Sequence, residues 1–223
     1  MVSSATSGYA PDETGGPRTV TMGSQRLGKA IGLGVFALLW NGFIWGFFVL
    51  PMVFGWSGGS WGGFDVCSTL FMIPFVLVGL GTIAGTGYYT LALFNPKVEL
   101  QFDSGSTRLG ETLALKWRLI GRPGRLNDFK LTLEAIEEAK YRRGTDTVTD
   151  TNTFIEIPLA EFDHIDFTWR GEGEASVELP RDAMHSFVAD NNKIIWRVRA
   201  KGAIPRWPDV NDSTDITVLP EGA

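Results

Sequence analysis

AIGLGVFALLWNGFIWGFFVLPMVF (residues 30–54) and VCSTLFMIPFVLVGLGTIAGTGYYTLALF (residues 66–94) decide the fold. Between residues 30 and 94 the only formal charge is Asp65. The first run holds 25 residues, which as a helix reach about 38 Å against the ~30 Å of a hydrocarbon core. Ordinary soluble core helices do not need so many uncharged residues, apolar all round. The pattern therefore predicts two transmembrane helices joined by the turn GWSGGSWGGFD (residues 55–65). The second run exceeds one span, so its ends are expected at the interface, with Tyr88 and Tyr89 marking that zone. Trp56 and Trp61 in the turn suit the headgroup level.

Inside the runs, four glycines are the candidate packing residues. Gly42 and Gly46 form one G-x-x-x-G pair, and Gly81 and Gly85 form another. Small residues one turn apart let helix backbones approach closely where lipid removes the hydrophobic driving force. They are expected to pack the hairpin on itself, with homo-oligomer formation through these glycine-rich helices as the sharper alternative. Asn41 is expected to hydrogen-bond to the other helix. Pro51 and Pro74 are expected to end or bend their helices, because proline lacks an N–H.

Outward from this stretch the composition changes. Residues 1–28, rich in Ser, Thr, Gly and Pro, are read as a disordered polar tail that buries too little to offset its ordering entropy. This tail is not read as a secretory leader, because the apolar run is too long and no small-residue cleavage site follows it. Residues 29–95 form the predicted hairpin and residues 96–223 a soluble domain. From Asn95 onward there are 17 Lys+Arg and 22 Asp+Glu, a normal soluble balance. The net charge of −5 lacks the clustered basic surface that nucleic acid requires. A single cysteine, Cys67, excludes an intrachain disulfide and a multi-thiolate zinc site.

In the soluble domain, apolar and polar residues alternate with the period of half-buried strands. Val98, Leu100 and Phe102 share one face, as do Leu113, Leu115, Trp117 and Leu119. Ala175, Val177 and Leu179 repeat the pattern, followed by Ile194, Trp196, Val198 and Ala200, and by Ile216 and Val218. Phe129–Gly144 mixes strand alternation with good helix formers and is read as a long strand; TDTVTDTNT after it is read as a polar hairpin tip or mobile loop.

The long strand ending in YRRG, the ELP segment (178–180), IIWRVRAKG (194–202) and PDVNDSTDITV (208–218) resemble a known group. It comprises uncharacterised bacterial membrane proteins with a two-helix hairpin fused to an arrestin-like, immunoglobulin-type β-sandwich. The resemblance implies a binding or scaffolding module on a membrane anchor and brings no catalytic residues.

The sequence carries no complete catalytic or metal-binding motif. GWSGG (55–59) matches the nucleophile pattern G-x-S-x-G, but Ser57 lies between two spans, without the strand-to-helix turn that the motif needs. Asp163, His164 and Asp166 lack a recognised metal spacing, and His185 stands alone. DVNDSTD (209–215) fails the calcium-loop pattern at its glycine and is read as a turn. No catalytic residue, cofactor or metal is assigned. Basic residues Arg18, Arg26, Lys29, Lys97 and Arg108 flank the spans and none lies in the turn. Both termini and the sandwich are therefore expected in the cytoplasm; that the chain is a multi-pass protein of a bacterial cytoplasmic membrane is what the resemblance implies. The expected function is non-enzymatic: a sandwich that binds a protein partner at the surface of the lipid bilayer. The runner-up is a membrane-bound hydrolase or an accessory subunit of a transport assembly.

Overall fold

The computed structural model describes residues 16–50, 54, 66–121, 126–163 and 171–222. Pro51, the GWSGG turn with Ser57, Trp56 and Trp61, and His164 with Asp166 lie outside the described residues. The chain divides into two units, one of residues 24–95 and one combining residues 1–23 with residues 96–223.

The first unit is a helical hairpin. Helix α1 spans Ser24–Ile44 and runs on through a π-helical turn at Trp45–Val49. Helix α2 spans Val66–Ala92, with Pro74 inside it. The sequence places the first helix from about residue 30; it begins a turn and a half earlier. Arg26 can sit inside the helix because its charge finds partners there. Its side chain is buried, and its Nη1 donates to the carbonyls of Ala92 at 3.2 Å and Asn95 at 3.3 Å, beside the end of α2. Those are carbonyls a helix end leaves open.

The second unit is built from two sheets. Strands β1 (Arg18–Thr21), β2 (Lys97–Phe102), β4 (Thr112–Ile120) and β7 (Glu172–Glu178) form one, in the order β1-β2-β4-β7. Strands β3 (Ser106–Arg108), β10 (Val210–Leu219), β9 (Asn192–Gly202), β5 (Asp128–Arg143) and β6 (Asp146–Asp163) form the other in that order, and the short β8 (Phe187–Val188) also pairs with β9. All pairings are antiparallel except β3 with β10.

One core lies between the sheets. Val98, Leu100, Leu115 and Trp117 from the first meet Leu131, Leu133, Trp196 and Val198 from the second. Trp117 carries the contact across: its ring centre lies 5.3 Å from that of Phe129 and 5.7 Å from that of Phe162. Gly173 on β7 makes room for it, since a Cβ there would approach the Trp117 ring to 2.8 Å. Trp196 is fully buried, and its indole N–H donates to the carbonyl of Met184 at 2.8 Å.

Three readings change. Residues 18–21, placed in a disordered tail, form a strand. RTVT is too short to signal one alone; it is held by four register pairs to β2, with Met22 N donating to Val98 O at 2.8 Å. Gly23, at φ +97°, then turns the chain into α1. The stretch 209–215, read as a turn, is strand from Val210 onward. Pairing with β9 from Val210↔Gly202 to Ile216↔Trp196 overrides the poor strand preference of Asn211, Asp212 and Asp215. TDTVTDTNT is neither tip nor loop beyond its first residue, for β6 starts at Asp146. The tip is the two-residue connection Gly144–Thr145 between Arg143 and Asp146, with Gly144 at φ +68°.

The hairpin is thus an insertion between β1 and β2, two hydrogen-bonded neighbours in one sheet.

Candidate functional site

Two surfaces are candidates: the faces of the helical hairpin, and the outer face of the larger sheet with its β6 edge.

In the hairpin, α1 buries Arg26, Ala30, Ala37 and Ile44 and half-buries Leu33 and Trp40. These positions alternate steps of four and three, the seam of an antiparallel coiled-coil pair. On α2 the less exposed positions Met72, Phe75, Gly79, Thr82, Thr86 and Tyr89 follow the same spacing. The seam carries small and polar residues. Asn41 Nδ2 donates to Ala37 O at 2.8 Å, and across the hairpin to Gly79 O at 3.2 Å and Thr82 Oγ1 at 3.4 Å. Trp40 Nε1 donates to Phe75 O at 3.1 Å. The expected bond from Asn41 to the other helix is therefore present. The outward faces are large and apolar: Leu38 is 75% exposed, Leu70 67% and Leu77 61%.

The four candidate packing glycines are only partly on the seam. A Cβ at Gly85 would meet Leu33 at 2.9 Å, but Gly42, Gly46 and Gly81 have nothing within 4 Å of such an atom. The positions that bring the helices together are Gly79, where a Cβ would lie 2.6 Å from Asn41 Oδ1, and Gly85; at Gly34 a Cβ would lie 3.5 Å from Thr86 Cγ2, an ordinary contact. The G-x-x-x-G spacing gives one helix face without saying which, whereas the seven-residue spacing of small and buried positions picks the seam.

On the larger sheet, side chains facing away from the core form an ionic row. Glu134 on β5 is 3% exposed. Its carboxylate accepts from Arg197 Nε at 2.8 Å and pairs with Arg199 Nη1 at 3.6 Å. Arg197 also stands opposite Asp215 in register. Asp215 is exposed, yet partial desolvation by its neighbours pushes its carboxyl above its ordinary value, with Arg197 pulling the other way. Arg199 Nε donates to Asn211 Oδ1 at 3.2 Å. The row joins three strands and leaves each guanidinium matched to an acceptor.

Strand β6 ends the sheet, and its far edge carries no strand among the described residues. Its pairing to β5 shifts register twice, between Ala135 and Ile136 and between Leu131 and Thr132. The first shift leaves Phe154 and the second Leu159 without a direct partner on β5. Asp163 lies at the end of β6, and His185 is exposed in the segment before β8. Among the described residues no cluster of three His, Cys, Asp or Glu side chains is placed to hold a metal.

No family model matches the chain, and no curated protein matches it in sequence. Solved structures resemble roughly half of it. Spo0M, a sporulation control protein from Bacillus subtilis, is 15% identical with a TM-score of 0.41, over 56% of this chain and 49% of that one. Squid arrestin is 7% identical with a TM-score of 0.34, over 55% and 49%. A superoxide reductase (neelaredoxin) from Ignicoccus hospitalis is 8% identical with a TM-score of 0.30, over 54% and 79%. The chain spans about half the length of the first two.

Proposed function

We propose that the chain is an integral membrane protein of non-enzymatic type, in which a two-helix hairpin anchors an arrestin-like β-sandwich that binds protein at the membrane surface. One observation carries this reading: the hairpin is turned inside out relative to a water-soluble helix pair. Leucines and phenylalanines cover its outside, while Asn41, Thr82, Thr86 and Gly79 fill its seam. Water penalises so large a contiguous apolar surface, whereas lipid accepts it and rewards internal hydrogen bonds and close backbones.

Connectivity supports the same reading. A segment that leaves β1 and returns to its hydrogen-bonded neighbour β2 crosses a bilayer an even number of times, as two spans do. Basic residues at both ends, Arg18, Arg26 and Lys29 before and Lys97 after, favour a cytoplasmic sandwich. The binding role is supported by a long sheet edge that no strand covers among the described residues.

Alkaline carbonate washing of membranes tests the anchor, and a one-sided reporter fused after Ala223 tests orientation. Retention in the washed membrane with a cytoplasmic signal is expected. Release by carbonate, or an outer-side signal, defeats the corresponding half of the proposal.

A further inference from the structure

We infer that the first half of β6 is a self-complementary edge that pairs antiparallel with β6 of a second copy of this chain. The inference deepens the binding reading above by naming the partner, and it rests on that reading.

Sheet edges are ordinarily blunted by lysine, proline, bulges or shortness. In β6, apart from the charges of Asp146 and Asp150, those devices lie from Phe154 onward, where register shifts fall at Phe154 and Leu159 and Pro158 lies between them. From Asp146 to Thr153 the register to β5 is unbroken, running from Arg143↔Asp146 to Ile136↔Thr153. That stretch contains no lysine, arginine or proline, and five of its residues are β-branched: Thr147, Val148, Thr149, Thr151 and Thr153. All but Val148 are exposed. Such a segment favours pairing.

The side chains choose the partner and the register. Threonines recur at every second position, so an antiparallel copy centred on Thr151 sets Thr151 against the partner's Thr151 and Thr149 against the partner's Thr153. Asp150 then faces the partner's Asn152, and Val148 faces the partner's Phe154, covering a ring that is 38% exposed. Thr–Thr and apolar cross-strand pairs are each stabilising. Centring on Asp150 would oppose two carboxylates, which is destabilising. Shifting the centre by half a residue would set threonines against Val148, Asp150 or Asn152. The contact is isologous and closes on itself as a two-fold pair.

The test uses the full chain in membranes, with Cys67→Ser to leave one thiol. Thr151→Cys is expected to give a covalent dimer on mild oxidation. Thr147→Cys, facing the partner's Ile155 beyond the regular pairing, is expected to give little. Thr151→Lys, which opposes two cations, is expected to convert dimer to monomer in detergent sedimentation, with the far-UV circular dichroism unchanged. Equal cross-linking at both positions, a dimer that survives Thr151→Lys, or an adduct with a different protein overturns the inference. So does a carbonate-resistant protein with no Thr151 adduct, and that outcome leaves the anchor standing. A protein released by carbonate defeats the anchor instead.

Discussion

Gly79 presents its bare Cα to Asn41, so closely that a Cβ there would lie 2.6 Å from the Asn41 Oδ1. The Asn41 side chain cannot simply swing aside, because its Nδ2 is committed to Ala37 O, Gly79 O and Thr82 Oγ1. Gly79→Ala should therefore destabilise the hairpin by about 1–3 kcal/mol, the usual range for overpacking. Gly81→Ala meets open space and should be neutral or stabilising by up to about 1 kcal/mol through helix propensity. Reversible unfolding in mixed detergent micelles measures both. A Gly79→Ala variant as stable as Gly81→Ala would show that the seam does not pack as described. Adding Asn41→Ala to Gly79→Ala should recover part of the loss.

Glu134 holds two arginines together on the outer face of the larger sheet. Glu134→Ala would leave Arg197 and Arg199, mostly buried, without their shared carboxylate. Removing one partner of a buried ion pair costs roughly 3–5 kcal/mol. Here both arginine side chains keep about a quarter of their surface in water, and the expected loss is about 2 kcal/mol after that screening. Glu134→Gln keeps an acceptor and should lose less. Denaturant titration of the full chain in detergent, with both variants compared, checks the order.

How much of this was legible in the sequence depends on where each element takes its stability. Strands β4 and β9 alternate strictly through Leu113, Leu115, Trp117 and Leu119 and through Ile194, Trp196, Val198 and Ala200, all buried. Their signal is local. Strand β1 has no such signal, because its four residues take their order from β2 across the inserted hairpin. The aspartates of β10 argue locally for a turn and are overruled by seven register pairs with β9. On the hairpin, a charge argues locally against helix at Arg26, though its guanidinium is satisfied by the carbonyls of Ala92 and Asn95. The ionic row was beyond sequence reach, since Glu134, Arg197 and Asp215 meet only through strand register.

Asp215 makes stability depend on pH in a direction opposite to most carboxylates. Asp215 stays exposed on the outer face, and partial desolvation by its neighbours there raises its folded value modestly above the ordinary 3.8, with Arg197 lowering it by less. Below the ordinary value the carboxyl is protonated in both states, and Asp215 costs nothing. As pH rises through that value towards the raised folded one, the unfolded chain releases its proton first and stability falls. Asp215→Asn should therefore be more stable than the parent at neutral pH, and the difference should close as pH drops below 3.8. Denaturant midpoints of the two proteins across that range decide it. A gap that persists in acid would mean that the gain comes from packing.

Arg26 ties the beginning of α1 to the end of α2. The last residues of α2 and its exit are bonded in tight i→i−3 fashion, with Leu93 N to Thr90 O, Phe94 N to Leu91 O and Asn95 N to Ala92 O. Such ends fray unless their carbonyls find partners, and a cation beside a helix C-terminus also opposes the macrodipole. Arg26→Ala removes both effects and should speed hydrogen exchange at Leu93, Phe94 and Asn95 while leaving mid-helix amides such as that of Thr82 unchanged. Arg26→Lys keeps the charge with a shorter, single-headed donor, so it should fall between the two. Because the charge alone acts on the dipole whereas the two carbonyl bonds need the guanidinium's reach, equal exchange in the lysine variant and the parent would assign the effect to charge. Equal exchange in the alanine variant and the parent would remove Arg26 from the account of how α2 ends.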